Sequence, residues 1–289
     1  MFGTVLLASD LSSASDSVIG CLQGLRSLGT HRVLLVHALG IRHLDGMRHM
    51  LQPFVDPRLR QQLRTLESKG FAVELVIAPG NAPSEISRVA KQNQASMIVI
   101  GSHGATLARD ALLGGVALGV LHRAEVPVLV VRVRITDEAD RQCDVVCQDF
   151  RARVLFATDF SDTAERAFTY VEQLVRSGCR EVTLLHAQER RPKHREVQGM
   201  AEDADRIDRK RLEGMESRLR DLGATIVRIA LPYGAPKVEI AQRAEQGFYS
   251  LIVMGTQGRG SVGALLLGSV SYHTVHHATV PALLVPPAR

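Results

Sequence analysis

The sequence contains no tryptophan, few aromatic residues (4%) and only four cysteines among 289 residues. The cysteines lie at irregular positions (Cys21, Cys143, Cys147 and Cys179), so neither a disulfide framework nor a paired zinc-binding pattern is indicated. No apolar stretch approaches the ~20 residues that a membrane-spanning helix needs. These absences argue against a disulfide-stabilised secreted protein and against a membrane protein, and we expect a cytoplasmic location.

The sequence also lacks a concentrated basic region. The formal net charge is only +5, and lysines and arginines alternate with acids, as in the segment 206–213. A nucleic-acid surface needs either clustered positive charge along the phosphates or aromatic side chains on which bases stack. We therefore expect no nucleic-acid partner and no membrane partner.

An internal repeat organises the chain. Asp10 matches Asp159 and His37 matches His186, each at an offset of 149 residues. Further along, the offset becomes 154 residues and relates a set of glycines in the two halves, namely Gly80 and Gly234, Gly101 and Gly255, Gly104 and Gly258, and Gly114 and Gly268. A period near 150 residues indicates a duplicated domain. The predicted organisation is a first domain over 1–132, a linker over 133–151 and a second domain over 152–289.

Each copy alternates short apolar runs with segments of helical period, the pattern of a parallel sheet with helices on both faces. Runs such as Met97–Ile100 and Leu251–Met254 are uniformly apolar, as strands buried on both faces require. One long charged helix is predicted near Glu196–Leu222. The five strands predicted in each copy are Thr4–Ala8, Arg32–His37, Ala72–Ile77, Met97–Ile100 and Val126–Val131, then Arg153–Ala157, Glu181–His186, Thr225–Ala230, Leu251–Met254 and Ala282–Val285.

A glycine-rich loop follows the fourth strand of the second copy, from Gly255 to Ser269. A loop of this kind that leads into a helix can bind an anion, because its backbone N–H groups approach the ligand closely and the helix N-terminus adds partial positive charge. It is not a dinucleotide fingerprint, since it does not follow the first strand and no Asp or Glu occurs after Glu245. It is not a P-loop either, since the chain has no Gly-Lys-Ser or Gly-Lys-Thr.

The spacing Gly255-x2-Gly258-x9-Gly268-Ser269 resembles that of the universal stress protein family, whose ATP-binding members share this loop. The resemblance covers nearly the whole chain. It extends to the Asp after the first strand, the His-Ala after the second and the final Val-Pro strand. It implies two tandem Rossmann-like α/β domains of the adenine nucleotide α-hydrolase-like kind, each with a five-stranded parallel sheet. It also implies that the domains pair as an intramolecular pseudo-dimer, with a homodimer as a further option.

Carried over by position, the resemblance implies a ligand, ATP or another adenine nucleotide, with Mg²⁺ or Mn²⁺ as a candidate companion ion. The glycines and the start of the following helix would surround the phosphates, Asp159 would lie near the sugar and Ala187 near the base. The nucleotide-binding residues expected in the second domain are Ala157, Asp159, Ala187, Met254, Gly255, Gly258, Arg259, Gly268, Ser269, Val270 and Ser271.

The first copy departs from this pattern, because Gly115 replaces the hydroxyl residue and Ala105 stands where the second copy has Arg259. Losing one neutral and one charged side-chain contact predicts weaker binding there, by about tenfold or more. The corresponding residues of this weaker site are Asp10, Ala38, Gly101, Gly104 and Gly114.

No catalytic or metal-binding residue is assigned. His37 and His186 at strand ends are best interpreted as satisfying backbone groups, and His273 and His277 lack a third ligand of known placement. The leading hypothesis is a stress-associated regulator that binds an adenine nucleotide, mainly in the second domain. A slow ATPase or nucleotidyl-transferase, and a scaffold that binds no nucleotide, remain as alternatives.

Overall fold

The computed structural model describes residues 2–40, 56–103, 113–137, 142–145, 149–188, 195–259 and 267–288. Within 134–137, 142–145 and 195–202 it describes the backbone alone. The chain divides into two compact units, Met1–Gln148 and Asp149–Ala288. Each unit is an α/β domain, and the two are taken in turn.

The first unit alternates strands and helices and then adds a hairpin. In order, its elements are β1 (Thr4–Ser9), α1 (Ser13–Cys21), α2 (Gln23–Arg26), β2 (Arg32–Leu39), α3 (Pro57–Ser68), β3 (Ala72–Pro79), α4 (Ala82–Gln92), β4 (Met97–Gly101), α5 (Gly115–Arg123), β5 (Val128–Val131), β6 (Val133–Asp137) and β7 (Gln142–Val145).

The second unit repeats the alternation without a hairpin in its described residues. Its elements are β8 (Val154–Ala157), α6 (Asp162–Arg176), β9 (Glu181–Leu185), α7 (Arg195–Asp221), β10 (Ile226–Ala230), α8 (Pro236–Gln246), β11 (Leu251–Gly255), α9 (Ser269–His277) and β12 (Ala282–Val285).

Both units have the same parallel sheet. Its order is β3-β2-β1-β4-β5 in the first unit and β10-β9-β8-β11-β12 in the second. The registers also correspond: Val5 pairs with Met97 in the first, and Val154 pairs with Leu251 in the second. The predicted parallel α/β fold is therefore confirmed, and the five parallel strands of each copy lie within two residues of their predicted bounds.

Helices cover both faces of each sheet. In the second unit α6 contacts α7, whereas α8 contacts α9. Since β-α-β crossovers between parallel strands are right-handed, the reversal of strand order after β10 places these two pairs on opposite faces. Strands β8 and β11 are buried along their length, and the rings of Phe156 and Phe168 pack with centroids 5.3 Å apart between β8 and α6.

The helix ends follow the sequence closely. Ser12 and Ser161 cap α1 and α6, because their side chains accept the backbone N–H groups of Ser15 and Ala164. The long charged helix predicted over 196–222 is α7. It presents Leu212, Met215 and Leu219 to the core, and these side chains are at most 4% exposed. The helix is therefore an amphipathic one that packs a single apolar stripe on the core.

The segment assigned to a linker holds secondary structure of its own. Residues Val133–Asp137 and Gln142–Val145 form an antiparallel hairpin, and both strands contact α1. The first unit therefore has two strands more than predicted. Cys21, at the end of α1, takes part in a disulfide, although the cysteine spacing indicated no disulfide framework. No helix in the described part of the chain is long and apolar enough to cross a membrane.

Candidate functional site

The candidate site of the second unit lies at the carboxyl ends of β8 and β11. These neighbouring strands are where the strand order reverses, since β8 leads to β9 on one side and β11 leads to β12 on the other. In open α/β sheets the loops diverge at this point and leave a crevice that binds ligands. Asp159 follows β8, and the glycine-rich loop follows β11.

The glycine-rich loop leads into α9, whose N-terminus lies at this crevice and has no side-chain cap. Gly268 is the N-cap of α9 and makes no side-chain capping bond. Its own N–H donates to Thr256 O at 2.7 Å, which fixes the end of the loop against its start. The backbone N–H groups of the first turn, beginning at the exposed Ser269 and the half-buried Val270, have no intrahelical acceptor. Such donors at a helix N-terminus suit an anion.

Ser271 has a different role from the one implied by the resemblance. Its hydroxyl donates to the carbonyl oxygen of Gly255 at 2.8 Å, and the residue is only 4% exposed. The hydroxyl therefore ties α9 to the end of β11, and only the backbone N–H of Ser271 remains as a candidate donor at the helix start. Ser269 carries the hydroxyl that faces outward.

Asp159 connects the two halves of the crevice. One carboxylate oxygen, Oδ1, accepts the N–H and the hydroxyl of Ser161 at 3.1 and 2.6 Å. The other, Oδ2, accepts the backbone N–H of Arg259 at 2.8 Å. The carboxylate thus fixes the start of α6 and reaches across to the loop after β11.

Two glycines of the loop lie so close to neighbouring atoms that a side chain would not fit. A Cβ on Gly258 would lie 2.5 Å from Asp159 Oδ2, and a Cβ on Gly255 would lie 2.8 Å from the methyl carbon of Thr163 and 3.2 Å from backbone atoms. Neither position has room for a side chain unless the neighbouring atoms move. These two glycines therefore let the loop lie directly against the turn after β8.

Phe160, the residue after Asp159, has a left-handed backbone with φ of 58°. This conformation is uncommon outside glycine, and it is stabilised by the N–H of Phe160 donating to Thr158 Oγ1 at 2.9 Å. Leu11 repeats it in the first unit, with φ of 65° and an N–H bond to Ser9 Oγ. The turn is thus a strained feature shared by both copies.

The ring of Phe160 lies close to two arginine side chains and one histidine ring at the crevice. The guanidinium carbon of Arg211, from α7, lies 5.2 Å from the ring centroid, and that of Arg259, from the loop, lies 5.7 Å from it. The His186 ring lies 4.5 Å away, centroid to centroid. Distances of this size allow cation–π attraction.

The strand-end histidines satisfy backbone groups, as predicted. His186 Nδ1 lies 2.8 Å from Thr158 O, and His37 Nδ1 lies 2.8 Å from Ser9 O. Because a carbonyl oxygen only accepts, Nδ1 is the donor in each ring. His186 Nε2 also lies 3.4 Å from Asp208 Oδ2. Both histidines therefore hold the second strand to the first at the site's edge.

The remaining expected residues of the second unit border the same crevice. Ala157 ends β8, Met254 is the buried penultimate residue of β11, and Ala187 is half-buried just after β9. The structure thus brings the strand-end residues, Asp159, Gly255, Gly258, Arg259 and the start of α9 to one edge of one sheet. The middle of the loop, 260–266, lies outside the described residues.

The first unit repeats the backbone of this site with fewer polar groups. Gly114 caps α5 without a side-chain bond, and its N–H donates to Ser102 O at 2.7 Å, as in the second unit. Asp10 accepts the hydroxyls of Ser12 and Ser15 at 2.5 and 2.7 Å. Gly101 ends β4 and Ala38 lies in β2, whereas Gly104 lies outside the described residues.

The sequence reasoning missed Phe160 and Arg211. Phe160 has a signal in the hydroxyl residue two positions before it, which occurs in both copies as Ser9 and Thr158 and bonds the strained N–H. The sequence gives no such signal for Arg211. In the first unit the comparable residue is Arg58 of α3, which donates to the carbonyl of Leu11 at 2.7 Å. Helical pattern alone identifies neither contact.

The described side chains contain no group of three that could hold a metal ion. The rings of His273 and His277 lie 4.3 Å apart, centroid to centroid, on α9. Burial, and then the nearby His277, Lys237 and His276, lower the pKa of His273. These histidines stack on one another rather than converge on a shared point with an acid.

The fold and the strand-end loops define a tandem protein of the Rossmann-like α/β class. A model of the Universal stress protein family matches residues 1–132 and 151–286. The chain therefore belongs to the universal stress protein family.

Three similar proteins illustrate the relationship. The universal stress protein MJ0577 of Methanocaldococcus jannaschii is 29% identical over 152 residues, which cover 46% of this chain and 93% of the relative. A universal stress protein of Mycolicibacterium smegmatis is 28% identical over 225 residues, covering 76% and 71%. The crystal structure of a universal stress protein from Archaeoglobus fulgidus DSM 4304 aligns over 98% of this chain and 96% of its own, with a TM-score of 0.66 and 25% identity.

Proposed function

We propose that the protein is a cytoplasmic stress-response regulator that binds ATP or another adenine nucleotide in its second domain. The observation that carries the proposal is the uncapped N-terminus of α9, delivered by a glycine-rich loop to the strand-order reversal beside Asp159. Free backbone donors and a helix dipole suit the phosphates. The neighbouring carboxylate suits a sugar hydroxyl, to which it can accept a hydrogen bond.

In this proposal the first domain binds more weakly. Its N-cap Gly114 repeats Gly268, but Gly115 has no hydroxyl at the start of α5. The loss of side-chain contacts lowers affinity by about tenfold or more. Nucleotide occupancy of the second domain would then be the regulated state.

A pair of matched substitutions tests this proposal. Gly268→Asp places a carboxylate at the N-cap of α9, where it accepts the helix N–H groups and repels phosphate. The backbone φ of −62° accepts any residue, but a Cβ here lies 3.2 Å from Thr256 O, so thermal unfolding without ligand must show that the variant is folded. Gly114→Asp makes the same change in the first domain, where φ is −69°. In calorimetric titration, ATP should bind the wild type and Gly114→Asp in the second domain, and Gly268→Asp should lose at least tenfold in affinity.

Equal affinity in all three proteins, or no heat from the wild type, would reject nucleotide binding at this loop and favour the scaffold alternative. The slow ATPase alternative makes a separate prediction. Phosphate release from ATP with Mg²⁺ should then co-purify with the protein and vanish in Gly268→Asp, since the same loop would hold the substrate.

A further inference from the structure

Two arginines converge beside the candidate site, and neither is neutralised within the described part of the chain. Arg211 and Arg259 both place their guanidinium groups within about 6 Å of the Phe160 centroid. No carboxylate among the described side chains forms an ion pair with either. Both residues are exposed, so the charges are available to a ligand.

Other described arginines, near an aromatic ring or at the equivalent turn, do have polar partners. Arg218, also on α7, lies over an aromatic ring, with its guanidinium carbon 4.8 Å from the Phe168 centroid. It is paired with Glu172 at 2.9 Å. Arg58 of the first domain donates to the Leu11 carbonyl. Arg211 and Arg259 have neither kind of partner among the described residues.

The position of the pair is fixed by the turn after β8. Phe160 has a left-handed backbone, and the adjacent Asp159 accepts the N–H of Arg259 at 2.8 Å. The guanidinium groups therefore lie next to the start of the glycine-rich loop. A Cβ on Gly268, the N-cap of α9, would lie 3.8 Å from Gly258 N, so the start of α9 is close to the residue before Arg259.

We propose that Arg211 and Arg259 bind the terminal phosphates of a nucleoside triphosphate and so select triphosphates over monophosphates. This inference rests on the proposed nucleotide site and names its ligand class. A guanidinium fork matches two phosphate oxygens, and charge-assisted bonds of this kind are stronger than neutral ones. The Phe160 ring lies within cation–π distance of both guanidinium groups and does not neutralise them. A monophosphate, which uses only the helix end, does not reach the pair.

The test compares Arg211→Gln with two controls from the same helix. Arg209→Gln removes the same charge from an exposed residue, and Arg218→Gln removes an arginine that contacts a different aromatic ring. Calorimetric titrations use ATP, AMP and inorganic tripolyphosphate, the last to isolate the phosphates from the nucleoside. Thermal unfolding of each variant without ligand records any loss of stability.

Arg211→Gln should weaken ATP and tripolyphosphate about tenfold or more while changing AMP affinity by less than about threefold. Neither control should alter the ratio of ATP to AMP affinity. The proposal is overturned if ATP and AMP weaken equally, or if ATP is unaffected. A wild type that binds tripolyphosphate as tightly as ATP supports the arginine pair but rejects adenine recognition. A wild type that binds none of the three ligands rejects both proposals.

Discussion

The backbone N–H of Arg259 donates to the carboxylate of Asp159 at 2.8 Å, across a separation of 100 residues in the chain. An N–H at the start of the loop that we propose binds phosphate is therefore already bonded to an anion within the protein. Gly258 makes this contact possible, because any side chain there would meet the same carboxylate oxygen. A bound phosphate competes with Asp159 for that donor and is also repelled by its charge.

This contact predicts effects of different size on two ligands. In Asp159→Asn the negative charge is lost, so inorganic tripolyphosphate should bind several-fold more tightly than it does to the wild type. ATP should gain less, because a sugar hydroxyl would lose a charged acceptor. Titration calorimetry measures both affinities. Asp162→Asn, which removes an exposed carboxylate from the first turn of α6, controls for net charge. Equal tripolyphosphate affinity in the wild type and Asp159→Asn would contradict the competition.

The repeat and the apolar runs were sufficient to predict the sheet. Strands such as Leu251–Gly255 are buried on both faces, so hydrophobicity marks them almost residue by residue. The hairpin of β6 and β7 escaped prediction because its strands are only five and four residues long and the segment was assigned to a linker. Sequence position identified Asp159 and the loop glycines as candidate site residues, since topology brings strand ends together.

The contacts that complete the site depended on tertiary structure. Ser271 was expected among the nucleotide-binding residues, and its hydroxyl donates instead to the Gly255 carbonyl. Arg211 belongs to a charged helix in which most cations face solvent, and only the packing of α7 brings this one to Phe160. Helical periodicity does not distinguish a solvated arginine from one directed at a neighbouring turn.

Ser271→Ala should lower stability and leave nucleotide chemistry almost unchanged. The buried hydroxyl holds α9 to the end of β11, so its loss removes one hydrogen bond to Gly255 and should cost about 1–2 kcal/mol. Urea unfolding measures the change in free energy, and ATP affinity should fall by less than about threefold. Ser177→Ala, which loses a half-buried bond to Gln173 O, is the comparison and should cost less. A large loss of ATP affinity at unchanged stability would show instead that the Ser271 hydroxyl binds the ligand.

Phe160→Leu removes the aromatic ring and keeps the left-handed backbone, so it tests the role of the ring alone. Leu11 occupies the same turn with the same left-handed conformation in the first domain, so leucine is compatible with this fold. The free energy of unfolding should change by no more than about 1–2 kcal/mol, whereas the preference for ATP over AMP should fall several-fold because the cation–π contacts are lost. Chemical denaturation and paired titrations measure the two quantities. An unchanged preference would show that Arg211 and Arg259 do not depend on the ring.

Cys179 should resist alkylation in the folded protein. Burial raises the pKa of this thiol to about 11, from an ordinary value of 9.0, and the residue is 0% exposed. Because the thiolate is the reactive form, a rise of about two units lowers its fraction at pH 8 by about 100-fold, and exclusion of the reagent slows the reaction further. Iodoacetamide labelling followed by peptide mass spectrometry compares native and guanidinium-unfolded protein, both treated first with a reductant. The Cys179 peptide should label at least about 100-fold more slowly in the native sample. Similar rates in both samples would mean that α6 and β9 separate readily, since the thiol lies in the connection between them.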